Sequence, residues 1–169
     1  MIPEGPSELE RDTDGFWHAD FNTLASFELI PPSVPIGRPL HPGNQARDVF
    51  LPQPPKYVVT EEDDLTGRVP KKVQALDGQK VRITGFMLPM HLKDGLVTDF
   101  LLIRSQLTCC FGVPPAPNEW VVVSMVGSGV QQQMDTPIQA FGKLHVGALF
   151  ENHAFSGLYR LECEKVIAH

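Results

Sequence analysis

The sequence is short of cysteine, with three in 169 residues. An odd count leaves at least one thiol outside any internal disulfide, and three is not the number of a disulfide-stapled secreted scaffold. Long apolar runs are missing as well. None approaches the roughly 18 residues that a membrane-spanning helix needs. Positive charge is scarce: 14 Lys and Arg stand against 20 Asp and Glu, a net charge of −6. Nucleic-acid binders carry a basic face and electrostatic membrane anchors a basic patch, so both classes are excluded. Aromatic residues make up only 8% of the chain and are not interleaved with basic ones, which removes the stacking platform of a single-strand binder. There is no Gly-rich phosphate loop, no Gly-x-Ser-x-Gly and no His-Glu-x-x-His, and no pair of acids is placed for hydrolysis.

What the chain does have is proline, and in one place. Eleven of its 16 prolines lie in residues 1–70, with 12 acidic and five basic residues. Residues 71–169 carry eight acidic and nine basic residues. The two parts are different materials: an acidic, proline-rich arm over 1–68 and a nearly neutral, strand-rich body over 69–169. Within the arm, Asp20 is an N-cap for a short helix over 20–29, with Phe21, Leu24, Ala25 and Phe27 near one face and Phe16 and Trp17 packing beneath. From Pro31 to Pro55 the chain reads as extended, suited to docking on a protein partner without regular structure of its own. Glu61-Glu62-Asp63-Asp64 reads as a solvated charge run. The chain begins Met-Ile-Pro-Glu-Gly-Pro, with neither a basic nor an apolar leader region. The expectation is a cytoplasmic protein, or a periplasmic one if a leader has been removed.

The body alternates at the strand period. Strands are expected over 79–89, 97–104, 120–126, 137–146 and 158–167. Asp77-Gly78 and Lys93-Asp94-Gly95 are turn signals, and Gly85 inside the first strand marks a bulge or bend. The apolar run 120–126 reads as buried on both faces. Five strands with local connections predict a mainly β fold, a small five-stranded barrel of the OB-like type, with a β-sandwich as the alternative.

The segment that stands out is Thr108-Cys109-Cys110-Phe111-Gly112-Val113-Pro114-Pro115-Ala116-Pro117-Asn118-Glu119-Trp120. Two adjacent thiols follow a strand and precede a proline-stiffened loop. Three readings stay open for Cys109 and Cys110. Thiolates suit zinc or copper(I), a vicinal pair can close a strained disulfide, and free cysteines commonly serve as small buried residues. Asn118 and Glu119 either serve turn and strand-start chemistry, or orient the thiol loop or supply a carboxylate. Cys163 falls on the inward face of the last strand, as core or as a disulfide partner for Cys109 or Cys110. Of six histidines, His91, His145 and His153 are the candidates to complete a metal site, His145 and His153 because a strand end and the loop after it can converge. Met87 and Met125 lie in apolar strands and read as core. A non-enzymatic binding or accessory domain is the leading expectation. An interaction subunit without chemistry and a thiol–disulfide redox protein are the alternatives.

Several pieces resemble the bacterial family of exported domains of unknown function 3299. They are Phe16-Trp17 with Leu24-Ala25-Ser26-Phe27, Leu76-Asp77-Gly78-Gln79-Lys80-Val81, Gly85-Phe86-Met87-Leu88-Pro89, Asp99-Phe100-Leu101-Leu102, and Cys-Cys-Phe-Gly to Asn-Glu-Trp. The resemblance implies a periplasmic or lipoprotein setting and a theme of metal handling beside transport systems, with no activity attached. Other branches carry a single cysteine followed two positions later by histidine. Here Cys110 matches that cysteine, Gly112 stands where the histidine would be, and Cys109 is added.

Overall fold

A computed structural model describes residues 9–29, 65–106 and 115–169. Residues 31–55, the run Glu61–Asp64 and the Cys109-Cys110-Phe111-Gly112 motif lie outside the described residues.

The architecture is mainly β. Six strands form one sheet: β1 (Trp17–His18), β2 (Lys80–Lys93), β3 (Leu96–Ile103), β4 (Trp120–Met125), β5 (Ile138–Glu151) and β6 (Ala154–Ala168). Helices are single turns, α1 (Phe21–Leu24) and α2 (Lys71–Gln74), with a 3-10 turn at Thr66–Arg68. The strand order is β1-β2-β3-β4-β6-β5, and β2 also pairs with β5. Five strands were expected. The sixth is β1, two residues that lie parallel to Val81 and Arg82.

β2 is the organising strand. Lys80–Gly85 pair antiparallel with β5, and Phe86–Lys93 pair antiparallel with β3. Gly85 sits at the hand-over. A β-carbon there would lie 2.7 Å from the Ile103 carbonyl oxygen and 3.0 Å from both Leu102 and the Phe21 ring. Backbone and ring can come this close only where no side chain intervenes. Alternation along β2 puts Val81, Ile83, Gly85 and Met87 inside, as the period predicts. The bulges fall further on, between Pro89 and Leu92, where a proline cannot donate to the ladder. The β2–β3 hairpin closes on Asp94-Gly95, both at positive φ, as a type I′ turn requires.

Three expectations need correction. The helix over 20–29 is one turn. Asp20 does cap it, accepting from the Asn22 amide at 3.0 Å. The chain then leaves the helix because the carbonyls of Leu24 and Phe27 are bonded by side chains of the sheet. The fourth expected strand, ending at 146, runs on to Glu151, and the fifth begins at 154 rather than 158. They form one long hairpin turned on Asn152 and His153, both at positive φ. Strand β4 is not buried on both faces: Trp120, Val121 and Val123 are, but Ser124 is not and Val126 just beyond it is exposed.

One core unites the described parts. Ala19, Phe21, Leu24 and Leu29 join Leu65, Val73 and Leu76 and the inward strand residues, among them Phe100, Leu102, Leu144, Tyr159, Leu161 and Cys163. Phe141, on the outward side of β5, is covered edge-on by Phe16 at 5.3 Å and by Lys165.

Gly142 and Gly78 test the two uses of glycine here. A β-carbon on Gly142 would overlap the Glu162 carbonyl oxygen, whereas Gly78 has open space around it but φ of +75°. Gly142→Ala is expected to cost about 3 kcal/mol or more, and Gly78→Ala about 1 kcal/mol, in urea denaturation. Equal costs would mean that backbone conformation, not contact, rules at both.

Candidate functional site

Residues 107–114 leave the described structure at Gln106 and rejoin it at Pro115. The site that can be built is therefore the stem of the thiol loop. Its sides are the end of β3 and the start of β4, paired from Ile103–Trp120 through Asp99–Ser124. Past the last pair, the Arg104 amide donates to the Glu119 carbonyl at 3.2 Å and the two side chains approach to 3.7 Å. Glu119 also folds the proline loop back: its carboxylate accepts from the Ala116 amide at 2.9 Å while its own amide donates to the Ala116 carbonyl at 2.8 Å. On the other side, Gln106 donates to the Met134 carbonyl.

Asn118 is 3% exposed, the one buried polar residue of the described core. Its amide donates to the Phe27 carbonyl at 2.7 Å. Next in the chain, Trp120 is buried and its indole N–H donates to the Ser156 carbonyl at 3.0 Å. Gly157 makes room for it, since a β-carbon there would lie 2.8 Å from that indole nitrogen. The Asn-Glu-Trp motif thus does three separate jobs: it binds the N-terminal segment, folds the loop and locks β4 to β6.

The structure does not bring the other candidate residues to this stem. His145 bonds Glu162 at 2.8 Å on the β5–β6 ladder. His153 is at the hairpin tip, beyond Val146–Glu151, about 20 Å of strand at ~3.3 Å per residue. A strand ending at Val146 would have let the two histidines meet; the longer strand separates them. His91 lies at a β2 bulge with Asp99 at 3.8 Å, and Asp99 is otherwise taken by the hydroxyls of Thr98 and Ser124. Among the described residues no group of three or more His, Cys, Asp or Glu could hold a metal ion. Cys163 is a free thiol with no exposure, donating to the Lys165 carbonyl at 3.3 Å, and burial pushes its pKa up to about 11. Met87 is core; Met125 packs against it from the half-buried face.

Sequence reasoning missed Tyr159. It is a buried residue of β6, and its hydroxyl donates to the Leu24 carbonyl at 2.7 Å across 135 positions of chain. Burial raises its pKa and keeps the donor protonated. The available signal was that a buried tyrosine needs a partner for its hydroxyl.

A family model described as a protein of unknown function, DUF3299, matches residues 48–168. The chain is also similar to the crystal structure of a DUF3299 family protein from Pseudomonas aeruginosa PAO1. Identity is 30% and the TM-score 0.50, covering 63% of this chain and 72% of that one. No curated protein matches the chain.

Two outcomes follow from this chemistry. With iodoacetamide at about pH 8, Cys163 should stay unmodified in the native protein and react only after unfolding, read by peptide mapping. Labelling of native Cys163 would show that the strand pair opens. The hydrogen bond from His145 is the main cause that holds Glu162 below its ordinary 4.5. A depressed carboxylate stabilises the fold above its ordinary value, and that contribution fades as pH falls through the lowered one. Glu162→Gln should therefore lower thermal stability above about pH 4.5 and flatten its further loss on the acid side, so that variant and parent converge as pH falls. An unchanged acid limb would show that the pair adds nothing.

Proposed function

The chain belongs to the DUF3299 family, and from that premise we propose that it is an extracytoplasmic, non-enzymatic binding or accessory domain whose working edge is the Cys109–Cys110 loop. The observation that carries this reading is the stem. Glu119, Asn118 and Trp120 spend their polar groups on backbone partners that fix where the loop departs and returns. A loop whose ends are set by the body loses less freedom when it binds, which is how rigid scaffolds carry ligand loops.

In this reading the sheet is a five-stranded OB-like barrel with β1 as an addition. Support comes from the pairings: with β1 set aside, β2 to β6 each have two partners, and β4–β6 is the parallel pair among them. The ligand class that two adjacent thiolates suit is a soft-accepting ion, zinc or copper(I). His145 and His153, held apart along the hairpin, are no part of the ligand set. The proline-rich stretch 31–55 supplies the contact to a protein partner, with envelope or transport assemblies as the setting that the family resemblance implies.

Native intact-mass spectrometry on protein prepared without chelator or reductant tests the reading. A metal adduct should be present and should vanish in the Cys109→Ser/Cys110→Ser variant while the fold survives. A metal-free mass short of two hydrogens, restored by mild reductant, would replace it with a redox role. A bare, fully reduced mass would sink both and leave an interaction subunit.

A further inference from the structure

The N-terminal segment, residues 9–29, sits in the body as a ligand sits in a groove. It enters as a strand, with Trp17 and His18 pairing parallel to Val81 and Arg82, and the Ala19 amide donates to the Arg82 carbonyl at 3.1 Å. Then it turns once as α1, sets the Phe21 ring beside Gly85 and buries Leu24. Its buried pattern is Phe16-x-x-Ala19-x-Phe21-x-x-Leu24. Tyr159 and Asn118 hold it by the carbonyls of Leu24 and Phe27. Strand addition plus apolar anchors plus hydrogen bonds to backbone is the way sheet proteins take up peptides.

Three further observations bear on how this peptide is held. Thirty-five residues, 30–64, join its end to Leu65, where the body resumes. The family match covers 48–168, so Arg82, Gly85, Asn118 and Tyr159 lie inside it and the docked segment outside. The fit is also imperfect. The His18 Nδ1 faces an Arg82 guanidinium nitrogen at 2.8 Å, and guanidinium can only donate. The ring proton is then on Nε2, and that atom is buried with no partner. An unpaired buried donor weakens the docked state.

We propose that this groove is a peptide-docking site which takes residues 9–29 from a second copy of this chain, so that two chains exchange their N-terminal segments. Within one chain the covalent link supplies an effective concentration on the order of mM, which favours the closed monomer in dilute solution. At high local concentration, or where the segment and groove of one chain no longer match, the same contacts are made between chains. Reciprocal exchange gives a closed two-fold dimer with no new interface chemistry.

Complementation between two full-length variants tests this. Phe21→Ala/Leu24→Ala spoils the segment and leaves the groove; Asn118→Ala/Tyr159→Phe spoils the groove and leaves the segment. Refolded together, they should give a heterodimer by native mass spectrometry at roughly tenfold or more the dimer level of either alone. The mixture should also gain a thermal transition above those of both variants. Two independent monomer populations with unshifted transitions would overturn the proposal. Because either variant alone can fail to fold, unmodified protein refolded over a range of concentrations is the second arm. A dimer fraction that rises with concentration supports exchange, and monomer throughout overturns it.

Discussion

The structure depends on the close approach at Gly85. β2 must change partners there, from β5 to β3, and the Ile103 backbone, the Leu102 side chain and the Phe21 ring all crowd the place where a side chain would be. Without the hand-over, β2 could not connect the two ends of the strand order. Without the vacant β-carbon position, α1 could not reach the core. Sheet topology and docking of the N-terminal segment are therefore set by one residue.

The second constraint is where polar groups go once that core is closed. Tyr159 and Asn118 are buried, and burying a hydroxyl or an amide without a partner costs about 1–3 kcal/mol. Both find backbone carbonyls: Tyr159 takes that of Leu24, at the end of α1 where a helix leaves carbonyls unpaired, and Asn118 takes that of Phe27 just beyond it. The needs are mutual: Tyr159 and Asn118 bring donors that need acceptors, and the segment at and after α1 has carbonyls that need donors. The exception is His18, whose unpaired Nε2 marks the strained part of the docked segment.

The strands were legible because their signal is local. Val81, Ile83 and Met87 alternate with polar or half-buried neighbours, and Asp94-Gly95 is a turn by chemistry alone. The mainly β character and family resemblance followed from such pieces. What failed was decided at long range. The early end of α1 depends on Tyr159, 135 positions away, and no local propensity encodes that contact. The continuation of β5 past Val146 was hidden because Gly147 and Ala148 break the alternation, and the register shift between Val146 and Leu149 shows where. The roles of Asn118 and Glu119 were legible as turn chemistry but not their partners. Phe141 lies on the outward side of β5, yet Phe16 covers it, a contact that no local pattern encodes.

The Asn-Glu-Trp motif separates structure from chemistry in the candidate site. Each of its three side chains donates to or accepts from backbone: Asn118 serves Phe27, Glu119 serves Ala116 and Trp120 serves Ser156. Cys163 is likewise withdrawn, since burial holds its thiol protonated well above neutral pH and a protonated thiol is neither nucleophile nor ligand. In the function proposed above, the reactive capacity of the segment falls on Cys109 and Cys110. The contacts of the motif that follows them are to backbone and position the chain. On this division, damage to Asn118 or Glu119 should act on a ligand only through the placement of the loop, whereas damage to either thiol acts on the bond itself.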